Sequence, residues 1–323
     1  MLRIHFTGED LTKITLATGA NPLWEIVSSL HLLQERNHAL VFGEWRRKTL
    51  AIGSVGLELL TELAPPRGYT PDFLTPGRGA HQFGELVEQV LATPRRQRLQ
   101  DLEELAVQRP ATRWMRALAA GETQALRVLG AALASYHEVG LAPYWSQIDE
   151  QVRSDREQRV RMLLTGGVDR LLKELHPRAV WDRPILRILG YVDSDIHLEG
   201  RGLVLIPSLF CRHRPWTFKD PDLPPVLVYP VSPALGWLAQ PASNTSGLHA
   251  LLGETRTAAL EACAESCTTS DLARRVHISK SAASRQAGVL RSAGLVTTRR
   301  AGGSVVHEIT ELGIALLNGR VPG

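Results

Sequence analysis

Every aromatic side chain of this protein precedes Leu238. The 7 Trp, 5 Tyr and 6 Phe all lie before that point, and none follows it up to Gly323. Aromatic rings supply much of the apolar area of an ordinary core, so a carboxy-terminal segment without them has to close on small aliphatic side chains. Two differently built cores are implied, and 323 residues is a natural length for two domains. Between them runs AQPASNTSG (239–247), a polar, small-residue stretch with one Pro and one Gly that reads as a linker. The expected division is residues 1–240, a linker at 241–249, and 250–323.

Hydrophobic residues make up 44% of the chain and charged residues 22%, the composition of an ordinary globular protein. Neither a basic start followed by an apolar stretch nor a run of about 18 apolar residues occurs, so no membrane partner is expected. Three cysteines, Cys211, Cys263 and Cys267, are too few and too odd in number for a disulfide framework, which points to the cytoplasm. A net charge of +4 is too small to name a partner. Its distribution says more: from Leu272 to His307 there is no Asp or Glu, against Arg274, Arg275, Lys280, Arg285, Arg291, Arg299 and Arg300. Such a one-sign stretch suits a phosphate backbone, the plainer alternative being a solvated basic face.

Residues 251–266 place Leu252, the stem of Arg256, Ala259, Leu260 and Cys263 on one helical face. Thr268 and Thr269 are good amino-terminal caps, and Asp271 suits the first turn of a short second helix ending near Val276. His277-Ile278-Ser279 makes a turn. Ser279 caps a third helix with an inward stripe of Ala283, Ala287 and Leu290, and Gly294 is its left-handed stop. LVTTRRAGGSVVHEI reads as two strands joined by Arg300-Ala301-Gly302-Gly303; Thr310 caps a closing helix, with Ile309 and Ile314 as a hydrophobic staple. Three helices, a basic hairpin and a closing helix make a winged helix-turn-helix. The expected fold class is mainly α with small β (α+β): a helical amino-terminal domain with a small β-sheet, plus a carboxy-terminal winged helix-turn-helix.

A helix of this kind fits the major groove by its amino-terminal residues. That makes Ser279, Lys280, Ser281, Ser284, Arg285 and Gln286 the expected DNA contacts. Arg285 has the donors to read guanine, Gln286 the donor and acceptor to read adenine, and the serines suit phosphate. Arg299 and Arg300, at the wing, are expected at the backbone or minor groove.

The run from LLGETRTAALEAC through TTSDLARRVHISKSAASRQAGVLRSAGLVTTRRAGGSVVHEITELGIALL resembles the DNA-binding domain of the ArsR/SmtB family of bacterial transcriptional regulators. Ser281-Ala282-Ala283-Ser284-Arg285, Leu290 and Ala293-Gly294-Leu295-Val296 carry the likeness. GRGLVLIPSLFCRHRP and PPVLVYPV also look like the large uncharacterised amino-terminal domain of some actinobacterial members. The resemblance implies a homodimeric regulator, a repressor rather than an activator, on double-stranded operator DNA. Many relatives bind metal through Cys-Val-Cys-Asp-Leu at the second helix, where this chain has Thr268, Thr269 and Ser270 before Asp271-Leu272. A second family site takes Asp and His from the closing helix, and ELGIALLNG has no His. No metal or cofactor is therefore expected. Cys263 and Cys267, read as four apart on the first helix, turn both thiols one way, for soft-metal binding, oxidation or simple packing.

Upstream, LRIHF is strand-like and residues 22–36 form an amphipathic helix opened by Asn21 and Pro22. Further helices are expected at about 51–64, 83–92, 95–108, 122–139 and 143–176, the last broken near Gly166-Gly167. Residues 149–161 alternate in sign, as a solvated face does. IHLEGRGLVLIP reads as a hairpin around Glu199-Gly200-Arg201-Gly202, and PPVLVYPV as another strand. Asp193, Asp195, His197 and Glu199 alternate, so a strand projects all four to one side, to hold a divalent metal or to face water. Cys211-Arg212-His213 reads as a surface loop rather than a zinc half-site. No phosphate-cradling loop, nucleophile elbow or zinc-protease motif is present, so no enzyme is expected. What remains for this domain is binding of a small organic effector, dimer formation or both, with Trp24, Trp45, Trp114, Trp145, Trp181 and Trp216 as pocket lining or core. The rival is an enzyme, or a metal or redox sensor, carried by this domain or by the Cys263/Cys267 pair.

Overall fold

The computed structural model describes residues 1–35, 37–76, 82–233, 237, 248–249, 251–301 and 304–317. It divides into two units, Met1–Asn37 with Trp45–Pro233 and His38–Glu44 with Ala234–Gly323. The short segment 38–44 groups with the second unit, where the Trp237 indole donates to the Val41 carbonyl at 3.0 Å and stacks at a tilt on Phe42. Of the expected linker, only Leu248 and His249 lie within the described residues. Among those residues no helix is long and apolar enough to cross a membrane.

The architecture is mixed α+β with helix predominating. In the first unit β1 (Leu2–His5), α1 (Gly8–Thr12) and β2 (Thr15–Leu16) precede the helices α2 (Pro22–Leu33), α3 (Ala39–Ile52, whose start groups with the second unit), α4 (Leu57–Leu63), α5 (Phe83–Leu91), α6 (Arg95–Gln108), α7 (Arg113–Ala120), α8 (Thr123–Tyr136) and α9 (Trp145–Lys173). Strands β3 (Ala179–Asp182), β4 (Ile185–Ile188), β5 (Ser194–His197), β6 (Val204–Ser208) and β7 (Val226–Pro230) complete it. One sheet runs β3-β4-β1-β5 and another β2-β6-β7.

Asn21 caps α2 by accepting from Leu23 N and Trp24 N. The helix is not amphipathic as expected: every residue except His31 is buried, so it is enclosed on all sides. That burial takes Glu25 with it, and a buried carboxyl needs partners. Its Oε1 accepts from Leu209 N (2.8 Å) and its Oε2 from Ser208 Oγ (2.9 Å) and Phe210 N (3.1 Å), fixing the chain just after β6. Burial nevertheless pushes the carboxyl up to about 7.

The single helix expected over 51–64 is two, because Gly53 and Gly56 both take positive φ between α3 and α4. The break in the long helix falls at Gly167 (φ 63°, ψ −166°). The hairpin expected around Glu199 is not formed. Strand β5 lies parallel to β1 in one sheet, while β6 lies parallel to β2 and β7 in the other. Between them Glu199, Gly200 and Gly202 take positive φ and carry the chain across rather than back. Gly202 N donates to Asp10 Oδ1 at 2.8 Å, and a Cβ there would sit 2.5 Å from the Lys13 carbonyl oxygen, which leaves room only for glycine.

The second unit comprises α10 (Glu254–Ala262), β8 (Cys267–Thr268), α11 (Thr269–Arg275), α12 (Lys280–Ser292), β9 (Val296–Ala301), β10 (Ser304–Ile309) and α13 (Glu311–Leu317). Its sheet runs β8-β10-β9. The buried cluster contains no aromatic ring; Ala259, Leu260, Leu272, Ala283, Ala287 and Leu290 are typical members. The face of α10 differs from expectation: Arg256 is exposed and Thr257 is buried, its hydroxyl donating to the Gly253 carbonyl at 3.1 Å.

Glu25 sets a pH signature for the first unit. The unfolded chain releases this proton near the ordinary glutamate value, whereas the folded chain keeps it to about 7. The stability of the native chain relative to Glu25→Gln therefore falls as pH rises from 5 to 7, by on the order of 1 kcal/mol per pH unit. Denaturant unfolding of both proteins at pH 5, 6 and 7 measures it, and a difference that grows with pH would contradict the assignment.

Candidate nucleic-acid interface

Thr268 opens α11 with a reciprocal capping box: its Oγ1 accepts from Asp271 N at 3.2 Å, and Asp271 Oδ2 accepts from Thr268 N at 3.2 Å. Those hydrogen bonds from Thr268, led by its hydroxyl, hold the Asp271 carboxyl below the ordinary range. Thr268 thus serves helix initiation, while the Thr269 hydroxyl turns to His307. At the other end of α11, His277 N donates to Arg274 O (3.3 Å) and Ile278 N to Ala273 O (3.0 Å), the paired bonds of a Schellman stop. The residue in the left-handed position is His277 (φ 56°), where glycine is usual.

Ser279 then caps α12, accepting from Ala282 N at 3.2 Å. The helix ends in a second Schellman stop, Gly294 N to Arg291 O (3.0 Å) and Leu295 N to Leu290 O (2.9 Å), with Gly294 at φ 72°. Leu290 and Leu295 both enter the core, which seals the stop with the hydrophobic contact such motifs carry. Between the caps Ala283, Ala287 and Leu290 face inward. The opposite side presents Ser281, Arg285 and Ser292 at spacings of four and seven residues, with Lys280, Ser284 and Arg291 on one shoulder, all exposed. Ser279, also exposed, is tied at 3.0 Å to the Ser281 hydroxyl.

Gln286 does not share that face. It is half-buried, with its Oε1 enclosed and without a hydrogen-bond partner, because position 286 lies beside the inward stripe rather than opposite it. The expected bidentate adenine contact is therefore not available to it in this arrangement. Arg291, not among the expected contacts, is exposed on the same shoulder of the helix as Lys280 and Ser284.

The hairpin β9–β10 pairs Arg299 with Val306 and Arg300 with Val305, and both arginines are exposed. Gly302 and Gly303 lie outside the described residues. Buried His307 ties the hairpin to α11, one ring nitrogen at 2.9 Å from Thr269 Oγ1 and the other at 3.1 Å from Thr298 Oγ1. Burial, with Arg291 nearby, lowers its affinity for a proton, so the ring is neutral at physiological pH.

Of the seven cations in the carboxylate-free stretch, two are spent internally. Arg274 bonds Asp271 at 2.5 Å, and Arg275 bonds the Ala262 carbonyl at 2.9 Å and pairs with Glu265 at 3.6 Å. Among the described residues Lys280, Arg285, Arg291, Arg299 and Arg300 have no ion pair and donate no side-chain hydrogen bond.

The other sites raised by the sequence resolve differently. Cys263 is the cap residue beyond α10 and Cys267 lies on β8, so they do not share a helix. Both are buried and in no disulfide, and the neighbouring Cys267 thiol, followed by burial, holds the Cys263 thiol up. In the first unit Asp195 is taken by Arg3 (2.7 Å) and His5 (2.7 Å), and His5 stacks on His197. The Arg3 guanidinium, followed by His5, holds the Asp195 carboxyl well below the usual range. Glu199 lies beyond the strand. Among the described residues no group of three or more His, Cys, Asp or Glu is placed to hold a metal ion. Cys211 is buried rather than on a surface loop, and Trp24, Trp45 and Trp181 are core.

The stop before α12 yields a direct check. A side chain with a Cβ in the left-handed region costs on the order of 1 kcal/mol relative to glycine. His277→Gly is accordingly expected to raise the unfolding free energy of the second unit by about 0.5–1 kcal/mol, read by denaturant unfolding; a loss would mean that His277 makes a contact worth more than the strain. Comparison of the chain with family models, with curated proteins and with solved structures finds no match.

Proposed function

We propose that the protein is a DNA-binding transcriptional regulator, not an enzyme, whose second unit is a winged helix-turn-helix of the ArsR/SmtB kind. The observation that carries this reading is the set of five exposed cations on α12 and β9, unpaired among the described residues, in a stretch without a single carboxylate. Unpaired surface cations on one element are what a phosphate backbone recruits. The order helix, turn, helix, hairpin supports the assignment, as does the resemblance in Ser281 through Arg285 and Ala293 through Val296.

In this mechanism α12 enters the major groove amino-terminus first. Lys280, Ser281, Ser284 and Arg285 meet base edges and flanking phosphates, with Arg285 suited to guanine, while Arg291, Arg299 and Arg300 hold the backbone or minor groove. One recognition helix makes few contacts, so a symmetric homodimer reading two half-sites about one DNA turn apart is the working assembly. The first unit is then the sensing part, taking a small organic effector, and the resemblance favours repression.

The test is binding of the full chain to DNA from upstream of its own gene, beside a scrambled fragment, across a salt series. The expected result is a preference for the natural fragment, a steep loss with salt, and at least a tenfold loss in a Lys280→Ala/Arg285→Ala variant that also flattens the salt dependence by about one to two contacts. Equal weak binding to both fragments, unchanged in the variant, would overturn the reading.

A further inference from the structure

The first unit holds a cavity of about 120 Å³, apolar on the side of Phe218, Leu223, Pro224 and Val226 and polar on the side of Asp72 and Gln97. Asp72 is 4% exposed. Its Oδ2 accepts from Lys219 N and Asp220 N, both at 2.9 Å, while its Oδ1 has no hydrogen-bond partner among the described residues. Gln97 is half-buried, and its amide likewise bonds nothing among the described residues. Asp72 and Gln97 line the same chamber as Phe218, Leu223 and Val226.

The charges around the chamber narrow what can fill it. Asp101 and Asp220 both add to the negative field at Asp72, whose carboxyl burial pushes up to about 7. Asp101 is satisfied by Tyr69 Oη at 3.0 Å and Phe73 N at 2.8 Å, neither of them a cation. The ammonium of Lys219, whose backbone N–H bonds Asp72, pairs with Glu104 and lies over the Tyr69 ring instead. Arg98 spends its guanidinium on the carbonyls of Leu118 and Thr93. A buried carboxylate among like charges, with no cation bonded to it among the described residues, favours a ligand that brings one.

We infer that this cavity binds a small primary ammonium compound with a short alkyl body, its ammonium bonding Asp72 Oδ1 and Gln97 Oε1 and its alkyl group packed on Phe218, Leu223 and Val226. A cavity of roughly 150 Å³ takes a benzene ring, so a body of about four to six heavy atoms fits. A carboxylate ligand is repelled by the same field, and an alcohol satisfies Oδ1 without neutralising it. In naming an effector site this deepens the regulator reading and rests on it. Occupancy of the cavity does not, because it is measured without DNA.

The experiment is calorimetric titration of the full chain with isobutylamine, isobutanol and isobutyrate at pH 7.5. Saturable binding of the amine, at least tenfold tighter than the alcohol, with none of the carboxylate, is expected. Asp72→Asn keeps an oxygen for Lys219 N and Asp220 N, so it preserves the fold by circular dichroism while weakening the amine at least tenfold. Leu223→Trp leaves Asp72 intact, fills the chamber and abolishes binding, so that one ill-folded variant does not decide the matter. No saturable amine binding, equal affinity for amine and alcohol, or affinity unchanged in the folded variants would overturn the inference. Failure of DNA binding by the second unit would leave these titrations as they are, which separates the two claims.

Discussion

The helices and hairpin that follow residue 253 depend on a core without an aromatic ring in it. With Ala283, Ala287 and Ala259 at its contacts, α12 is held close to its neighbours, and close packing works only if each helix ends where geometry demands. That is why the two Schellman stops, at His277 and Gly294, bracket α12 so tightly. It is also why Gly313 has to be glycine: a Cβ there would lie 2.4 Å from the Leu295 carbonyl oxygen. A helix so fixed on its inner side presents a reproducible outer side. Lys280, Arg285 and Arg291 owe their exposure to the alanines on the inner side of α12.

This unit was readable from sequence because its signals are local. Caps at Thr268 and Ser279, the stop at Gly294 and the alanine stripe are each set within a turn or two of chain, and the structure has them where the residues indicate. Departures arise where tertiary contacts decide. Gln286 and Arg256 are both polar, and nothing nearby in sequence says that one is half-enclosed and the other exposed. Cys267 leaves the helix because β8 pairs it with His307, forty residues on. Arg291 was visible as a charge, but only its position relative to Ala287 and Leu290 makes it part of the face.

The first unit was less legible for the same reason. Strands β5 and β6 are close in sequence, and their alternation suits a hairpin, yet each finds a parallel partner in a different sheet. The partner strands β1 and β2 come from the start of the chain, a pairing no local pattern encodes. Glu25 is similarly silent: an acidic residue in a first helical turn ordinarily faces water and complements the dipole. Here it is drawn inside by a helix buried on every side and joined to the chain after β6.

The central claim is that the outer side of α12 reads DNA. Photo-cross-linking from a benzophenone side chain placed at Ser281, with Thr255 on α10 as the exposed control, tests it most directly on the full chain bound to a preferred fragment. Cross-links from position 281 to bases within the protected site, and none from position 255, are the expected result. Bound DNA that is cross-linked from 255 but never from 281 would contradict it.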